Sequence, residues 1–216
     1  MEKHAAVQYI LDQCIIAVVR ADSGGDDLVR VVEAIAAGGV HCIEVTMTTP
    51  GALKCIEAAA TKLAGADVLL GVGTVLDAET CRMAILAGAE YVVSPTLSAE
   101  TIRMARRYGV PMIAGAYTPT EILAAWEQGA DFVKVFPASI GGPDYIKAVK
   151  APLPQIPLVP TGGVELENIG AFLKAGASAL AVGGNLVTKK MLANRDFAGM
   201  TENAKKFAGA VLAARG

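Results

Sequence analysis

Lys134 is the residue of this 216-residue chain whose surroundings most clearly suggest chemistry. It stands in FVKVFP (132–137), and strand alternation would place it on the same face as Phe132 and Phe136. Desolvation disfavours an ammonium ion, so an amine held there becomes a nucleophile able to form a Schiff base with a ketone. A strand lysine can also run its head out to solvent at a barrel rim, and this segment alone fits both readings. Glu44 adds a second charged group, since IEVTM (43–47) carries a carboxylate inside another apolar run. Such a pair could be a buried ion bridge of little net stability. It could equally be an amine beside a proton carrier, which carbonyl chemistry through an iminium ion requires.

Two further segments, PTGGV (160–164) and VGGN (182–185), end in paired glycines that expose backbone N–H groups. Glycine pairs make tight turns, but two of them after successive late strands are also how barrel enzymes hold a phosphate. Other chemistries are poorly supplied. The only histidines are His4 and His41, too few for a multi-histidine metal site. The four cysteines, Cys14, Cys42, Cys55 and Cys81, form no CxxC pair and are expected to be buried thiols. A formal net charge of −2 gives no field to gather a polyanion, so nucleic acid is not an expected partner. Apolar residues make up 53% of the chain, yet charges, Gly or Pro interrupt every run, which argues against a membrane span. The opening MEKHAAVQYILDQC lacks the features of a secretory signal, and the expected compartment is the cytoplasm.

The elements that must carry these residues follow from a recurring phrase of helical stretch, Gly-centred turn and short apolar run. It appears in AAGGVHCIEVTM, LAGADVLLGVGT, LAGAEYVVSP, RYGVPMIAGA, EQGADFVKVFP and KAGASALAVGG. Glycine fits at each helix end because the left-handed conformation costs it nothing. With CIIAVVR and PLVPTGG, the spacing predicts eight strands starting near Cys14, Cys42, Val68, Tyr91, Pro111, Phe132, Pro157 and Ala179. Helical patterns fill the intervals, as at 27–38, 78–88, 99–109 and 119–129. Nearly continuous apolar strands indicate a parallel sheet covered on both faces. Eight such units predict an α/β fold, a (β/α)8 TIM barrel forming one domain over 1–216. Its chemistry belongs at the C-terminal ends of the strands, where Arg20, Thr46, Thr74, Ser94, Pro95, Lys134 and Thr161 fall. His41 then lies at the opposite, stability face, Trp126 packs its helix on the barrel, and Arg106 with Arg107 sits at a solvated helix end.

With these residues together, the chain resembles the KDPG/KHG aldolase family from IIAVVR through AVGGNLV. GGVHCIEVTM is similar to the family's Glu-bearing strand, GVGTV to its third strand, VSP to its fourth and FVKVFPA to its Schiff-base segment; VPTGGV and VGGNLV resemble its phosphate loops. The resemblance implies a class I lyase that splits 2-keto-3-deoxy-6-phosphogluconate into pyruvate and glyceraldehyde 3-phosphate, with no metal or other cofactor, as a homotrimer. It implies Lys134 as the iminium-forming lysine and Glu44 as the acid/base. Thr74 would orient the pyruvate carboxylate, Pro95 and Phe136 would wall the pocket, and Thr161, Gly162, Gly163, Gly184 and Asn185 would meet the phosphate.

Two positions depart from the pattern. Thr46-Met47-Thr48 stands where many members have Thr-Leu-Arg, so Thr48 occupies the substrate-binding position without its cation. Arg20, at the end of the first strand, is expected to supply that charge from the other side. Asn185 replaces a frequent Ser, and its amide can still donate to phosphate. Alternatives are an aldolase for 4-hydroxy-2-oxoglutarate or for 2-keto-3-deoxy-6-phosphogalactonate, and, from another class, a catalytically silent trimeric scaffold.

Overall fold

The computed structural model describes residues 1–21 and 26–215. Helix α1 (Lys3–Gln13) comes first, and then strands and helices alternate. They are β1 (Ile15–Val19), α2 (Asp26–Ala37), β2 (Cys42–Thr46), α3 (Ala52–Lys62), β3 (Leu69–Gly73) and α4 (Ala78–Leu86). The middle of the chain supplies β4 (Tyr91–Val93), α5 (Ala99–Arg107), β5 (Met112–Ala116), α6 (Pro119–Glu127) and β6 (Phe132–Val135). The last third gives α7 (Gly142–Lys150), β7 (Leu158–Pro160), α8 (Ile169–Lys174), β8 (Leu180–Val182), α9 (Lys189–Ala193) and α10 (Phe197–Arg215). The predicted strand starts hold to within one residue.

All eight strands pair in parallel in the order β7-β6-β5-β4-β3-β2-β1-β8. A bridge between Thr161 and Ala181 brings the open edges together, so the sheet is a nearly closed (β/α)8 barrel. Strand alternation divides the apolar residues in two. Ile16, Cys42, Leu69, Tyr91, Phe132 and Val159 fill the interior, whereas Val45, Val72, Val92 and Val133 face the helices. Coverage of both faces is why the strands read as unbroken apolar runs.

The punctuation works as the residue types require. Gly39, Gly65, Gly88, Gly109, Gly129 and Gly176, each just past a helix, all have positive φ. At the other ends, Asp77 accepts from the Thr80 N–H at 2.6 Å, and Thr118 with Glu121 forms a full capping box on α6. Trp126 packs against the core as expected, and His41 immediately precedes β2 at the N-terminal face. Arg106 is less free than a solvated helix end implies, because its guanidinium donates to the Gln128 carbonyl at 3.2 Å. All four cysteines are buried and unpaired.

Helix α1 lies outside the eight repeating units and is not anticipated by the sequence pattern. Ala6 and Ile10 insert into the same cluster as Ile16, Cys42 and Phe132, closing the N-terminal mouth of the barrel. The opposite mouth is left as the way in. Among the described residues no helix is long and apolar enough to cross a membrane.

Candidate active site

Strand β6 carries Lys134 inward at 5% exposure, and β2 carries Glu44 inward at 1%, so both sites of charge lie inside the barrel wall. The register runs Gly115 to Lys134 to Val159 on one side and Val18 to Glu44 to Gly71 on the other. Glu44 leans across β3 toward the open mouth. A methyl group placed on Gly73 would sit 2.4 Å from its Oε1, so glycine at 73 is what leaves room for the carboxylate. Both carboxylate oxygens are buried without a hydrogen-bond partner. Lys134 Nζ lies 5.1 Å from the centroid of the Phe136 ring.

Electrostatics at this pair are set mainly by the loss of water. Burial pushes the Glu44 carboxyl above its ordinary range, while the positive charges of Lys134 and Arg20 pull it partly back. Burial also draws the Lys134 amine below the usual lysine range; Glu44 opposes that shift and Arg20 reinforces it. Each group therefore leans toward its neutral form, an amine that can attack a carbonyl and a carboxyl that can give or take a proton.

Arg20, Phe136, Thr161, Gly162, Gly163, Gly184 and Asn185 from the sequence reading line one cleft of about 270 Å³, together with Val18, Val164, Ala181, Gly183 and Lys189. Gly162 and Gly163 turn with φ of +84° and +78°, a shape that a side chain would strain. Phe136 joins the two halves of the site, because its ring faces the Lys134 amine and a Cβ on Gly162 would lie 3.5 Å from it. The Asn185 amide donates to the Val164 carbonyl at 2.9 Å. Its side chain thus ties the loop after β8 to the loop after β7.

The remaining residues border the mouth. Thr74 is half-buried and has φ of +59°, a conformation rare for a residue with a branched side chain and a local strain at the end of β3. Pro95 packs its backbone so close to Gly115 that a Cβ there would meet it at 2.2 Å. Thr48 is exposed, and its hydroxyl lies 2.9 Å from that of Thr46. Thr49 accepts from the Ala21 N–H at 3.2 Å, which fastens the end of β2 to the end of β1 beside Arg20. Thr48, Thr74 and Pro95 do not line the glycine cleft.

Two participants are absent from the sequence reading. Lys189 opens α9 and brings a second cation to the cleft beside Arg20. Tyr91, the first residue of β4, is fully buried in the barrel and its hydroxyl has no partner. Neither belongs to a motif, and both reach the site only through the closure of the barrel. Among the described residues no group of three or more His, Cys, Asp or Glu is arranged to hold a metal ion.

An inward lysine and glutamate beneath paired-glycine loops define a (β/α)8 barrel built for carbonyl chemistry on a small anionic molecule. The family model for KDPG and KHG aldolase matches residues 7–203, and the chain belongs to that family. A relative from Treponema pallidum (strain Nichols), 2-dehydro-3-deoxy-phosphogluconate aldolase, is 39% identical over 178 residues, covering 82% of this chain and 83% of that one. The 2-dehydro-3-deoxy-6-phosphogalactonate aldolase of Escherichia coli (strain K12) is 35% identical, covering 80% and 83%. Among solved structures, the KDPG aldolase of Legionella pneumophila, with pyruvate captured as a covalent carbinolamine intermediate, superimposes with a TM-score of 0.83 at 27% identity. That match covers 92% of this chain and 96% of the other.

Proposed function

We propose that this aldolase works through a Schiff base on Lys134 and cleaves 2-keto-3-deoxy-6-phosphogluconate to pyruvate and glyceraldehyde 3-phosphate. The observation that carries the reading is the buried amine sharing a closed barrel interior with an unpartnered carboxyl group. Neutral Lys134 attacks the C2 ketone, and loss of water leaves an iminium ion. Glu44 removes the C4 hydroxyl proton, directly or through one water, as the C3–C4 electrons move toward the iminium. Glyceraldehyde 3-phosphate leaves and an enamine of pyruvate remains. Glu44 returns a proton to C3, and hydrolysis releases pyruvate and restores the amine.

The anionic ends of the substrate are assigned by position. Arg20 perturbs both Glu44 and Lys134, which supports its holding the keto-acid carboxylate next to the reacting carbon. Thr74, Thr48 and Pro95 frame that end. The phosphate sits on the backbone of Gly162, Gly163 and Gly184, with Thr161 and Asn185 shaping the loops and Lys189 adding its charge. This division is separable by experiment. Arg20→Ala is expected to raise the KM for pyruvate in methyl-proton exchange by about tenfold or more, the loss of a charge-assisted contact. Lys189→Ala is expected to raise KM for the phosphorylated keto-acid by about tenfold and to leave pyruvate exchange unchanged. Unaltered pyruvate exchange in Arg20→Ala would remove the carboxylate assignment.

The phosphogalactonate relative keeps a second reading open for the C4 configuration. A coupled assay of pyruvate formed from each C4 epimer, and from the unphosphorylated 4-hydroxy-2-oxoglutarate, decides between them. Turnover of none would support a silent scaffold, a reading that the retained lysine and glutamate disfavour. We place the protein in the cytoplasm, where four free thiols stay reduced. The homotrimer that the family resemblance implies has a candidate surface in the exposed Leu76, Met83 and Leu86 on and just before α4.

A further inference from the structure

Strand β3 lacks side chains where its neighbours need space. Its inward positions next to Glu44 and Tyr91 are Gly71 and Gly73, and the register pairs Gly71 with Glu44 on one side and with Tyr91 on the other. Tyr91 lies across Gly71 from β4: a Cβ there would be 2.3 Å from Cζ, the carbon that bears the hydroxyl. Glu44 lies across Gly73 from β2, with its Oε1 at 2.4 Å from the equivalent point. Two polar ends therefore converge over one strand, on positions separated by roughly 7 Å of strand rise. Both carry orphaned atoms, since the Tyr91 hydroxyl and both Glu44 oxygens are buried and unpartnered. Three such atoms would be costly if each were truly isolated in an apolar wall.

We propose that Tyr91 is a positioning residue for Glu44, its hydroxyl donating through a single enclosed water that holds the carboxylate over Gly73 and favours its charged form. The inference rests on Glu44 being the acid/base. The two groups make no direct hydrogen bond, and a single water bridging them would satisfy the phenol and a carboxylate oxygen together. Tyr91 stays protonated and able to donate, because burial and then the nearby Glu44 push its phenol well above the usual range. The charged or titratable groups that act on Glu44 are Lys134 from β6 and Arg20 from the end of β1, and those on Tyr91 are Glu44 and Cys42 from β2. Both cations favour a carboxylate but reach it as charges; the phenol adds a directed donor.

The direct test is Tyr91→Phe in the full chain, which keeps the ring that fills the space above Gly71. Four readouts are taken together: kcat and KM for the phosphorylated keto-acid, the pH profile of pyruvate methyl-proton exchange, borohydride trapping at Lys134, and Tm. The expected result is a kcat lowered about three- to tenfold, the acid limb of the exchange profile displaced to higher pH, and unchanged KM and trapping yield. Replacing Tyr91 with 3,5-difluorotyrosine strengthens the donor and is expected to displace the same limb to lower pH. A Phe variant and a fluorinated variant whose acid limbs both superimpose on that of the wild type would overturn the proposal, whatever happens to Tm. Loss of trapping in the unaltered protein would instead strike the Schiff-base reading on which it stands.

Discussion

Lys134→Met is expected to lower kcat for pyruvate release by at least about 10⁴-fold and to leave the fold intact. The size follows from what the amine supplies. In the proposed mechanism it forms the covalent bond to C2 and its iminium accepts the electrons of the breaking C3–C4 bond; among the described residues no other buried amine stands in the interior to replace it. Met has a similar length and no charge, and Lys134 is 5% exposed among Phe132, Val133 and Val135, so the substitution removes a buried amine without opening a cavity. Circular dichroism and Tm should match or exceed those of the wild type, and a steady-state assay coupled to pyruvate reduction reads the loss. Activity within tenfold of wild type would show that another nucleophile carries the reaction.

Glu44→Gln is expected to lower kcat by about 10²–10⁴-fold, the range for removing a general acid/base, while Schiff-base formation persists in part. Deuterium exchange at the pyruvate methyl group isolates its step, because exchange needs only the imine and a proton carrier. Exchange at the wild-type rate would assign the acid/base elsewhere. The same variant carries a stability signature. Burial raises the Glu44 carboxyl above 4.5, so below pH 4.5 the group is neutral in both states and costs nothing. From pH 4.5 upward the unfolded chain sheds this proton while the folded protein retains it, so stability falls until the pH passes the raised value and is level beyond it. Gln escapes that loss. The Tm of the variant should therefore exceed that of the wild type by a margin that grows above pH 4.5, with about 2–4 °C gained per 1 kcal/mol in a domain of this size.

The barrel is legible in the sequence because its signals are local and repeated. A parallel strand covered on both faces must be apolar throughout, and a helix ending just before it needs glycine in a left-handed turn; Gly88 and Gly129 are such cases. Lys134 and Glu44 are legible for the opposite reason, being charges in runs that should contain none. What escapes the sequence depends on tertiary closure. Helix α1 has no side-chain cap at Glu2 and ends on Cys14 rather than on glycine, so nothing announces that Ala6 and Ile10 will plug the barrel. Lys189 lies beyond β8 on a five-residue helix and meets the paired-glycine loops only when the loop after β8 folds back. Tyr91 reads as an ordinary strand residue, and its relation to Glu44 exists because the strand between them offers two glycines. Asn185 is legible as a loop residue, but its amide is directed to the Val164 carbonyl, a partner that proximity in sequence does not reveal.

The site also shows how one feature serves two ends. Phe136 is 40% exposed, unusual for a large aromatic ring, yet one side of it meets the Lys134 amine and the other the turn at Gly162. In the proposed mechanism it would shield the amine from water and wall the path from carbonyl to phosphate. Thr74, with its positive φ, and Pro95, packed closely on Gly115, are held in place at the ends of β3 and β4. In the proposed mechanism such a mouth would orient the keto-acid before the covalent step, which is the condition for a fast intramolecular reaction.

The central claim is that an uncharged Lys134 bonds covalently to the keto carbon. Intact protein is incubated with pyruvate, reduced with sodium borohydride, digested, and the peptides weighed by mass spectrometry. A stable pyruvate-derived mass on Lys134, at near-stoichiometric yield and with loss of activity, is the result expected; an unmodified Lys134 in protein that still turns over substrate is the result that would contradict the account.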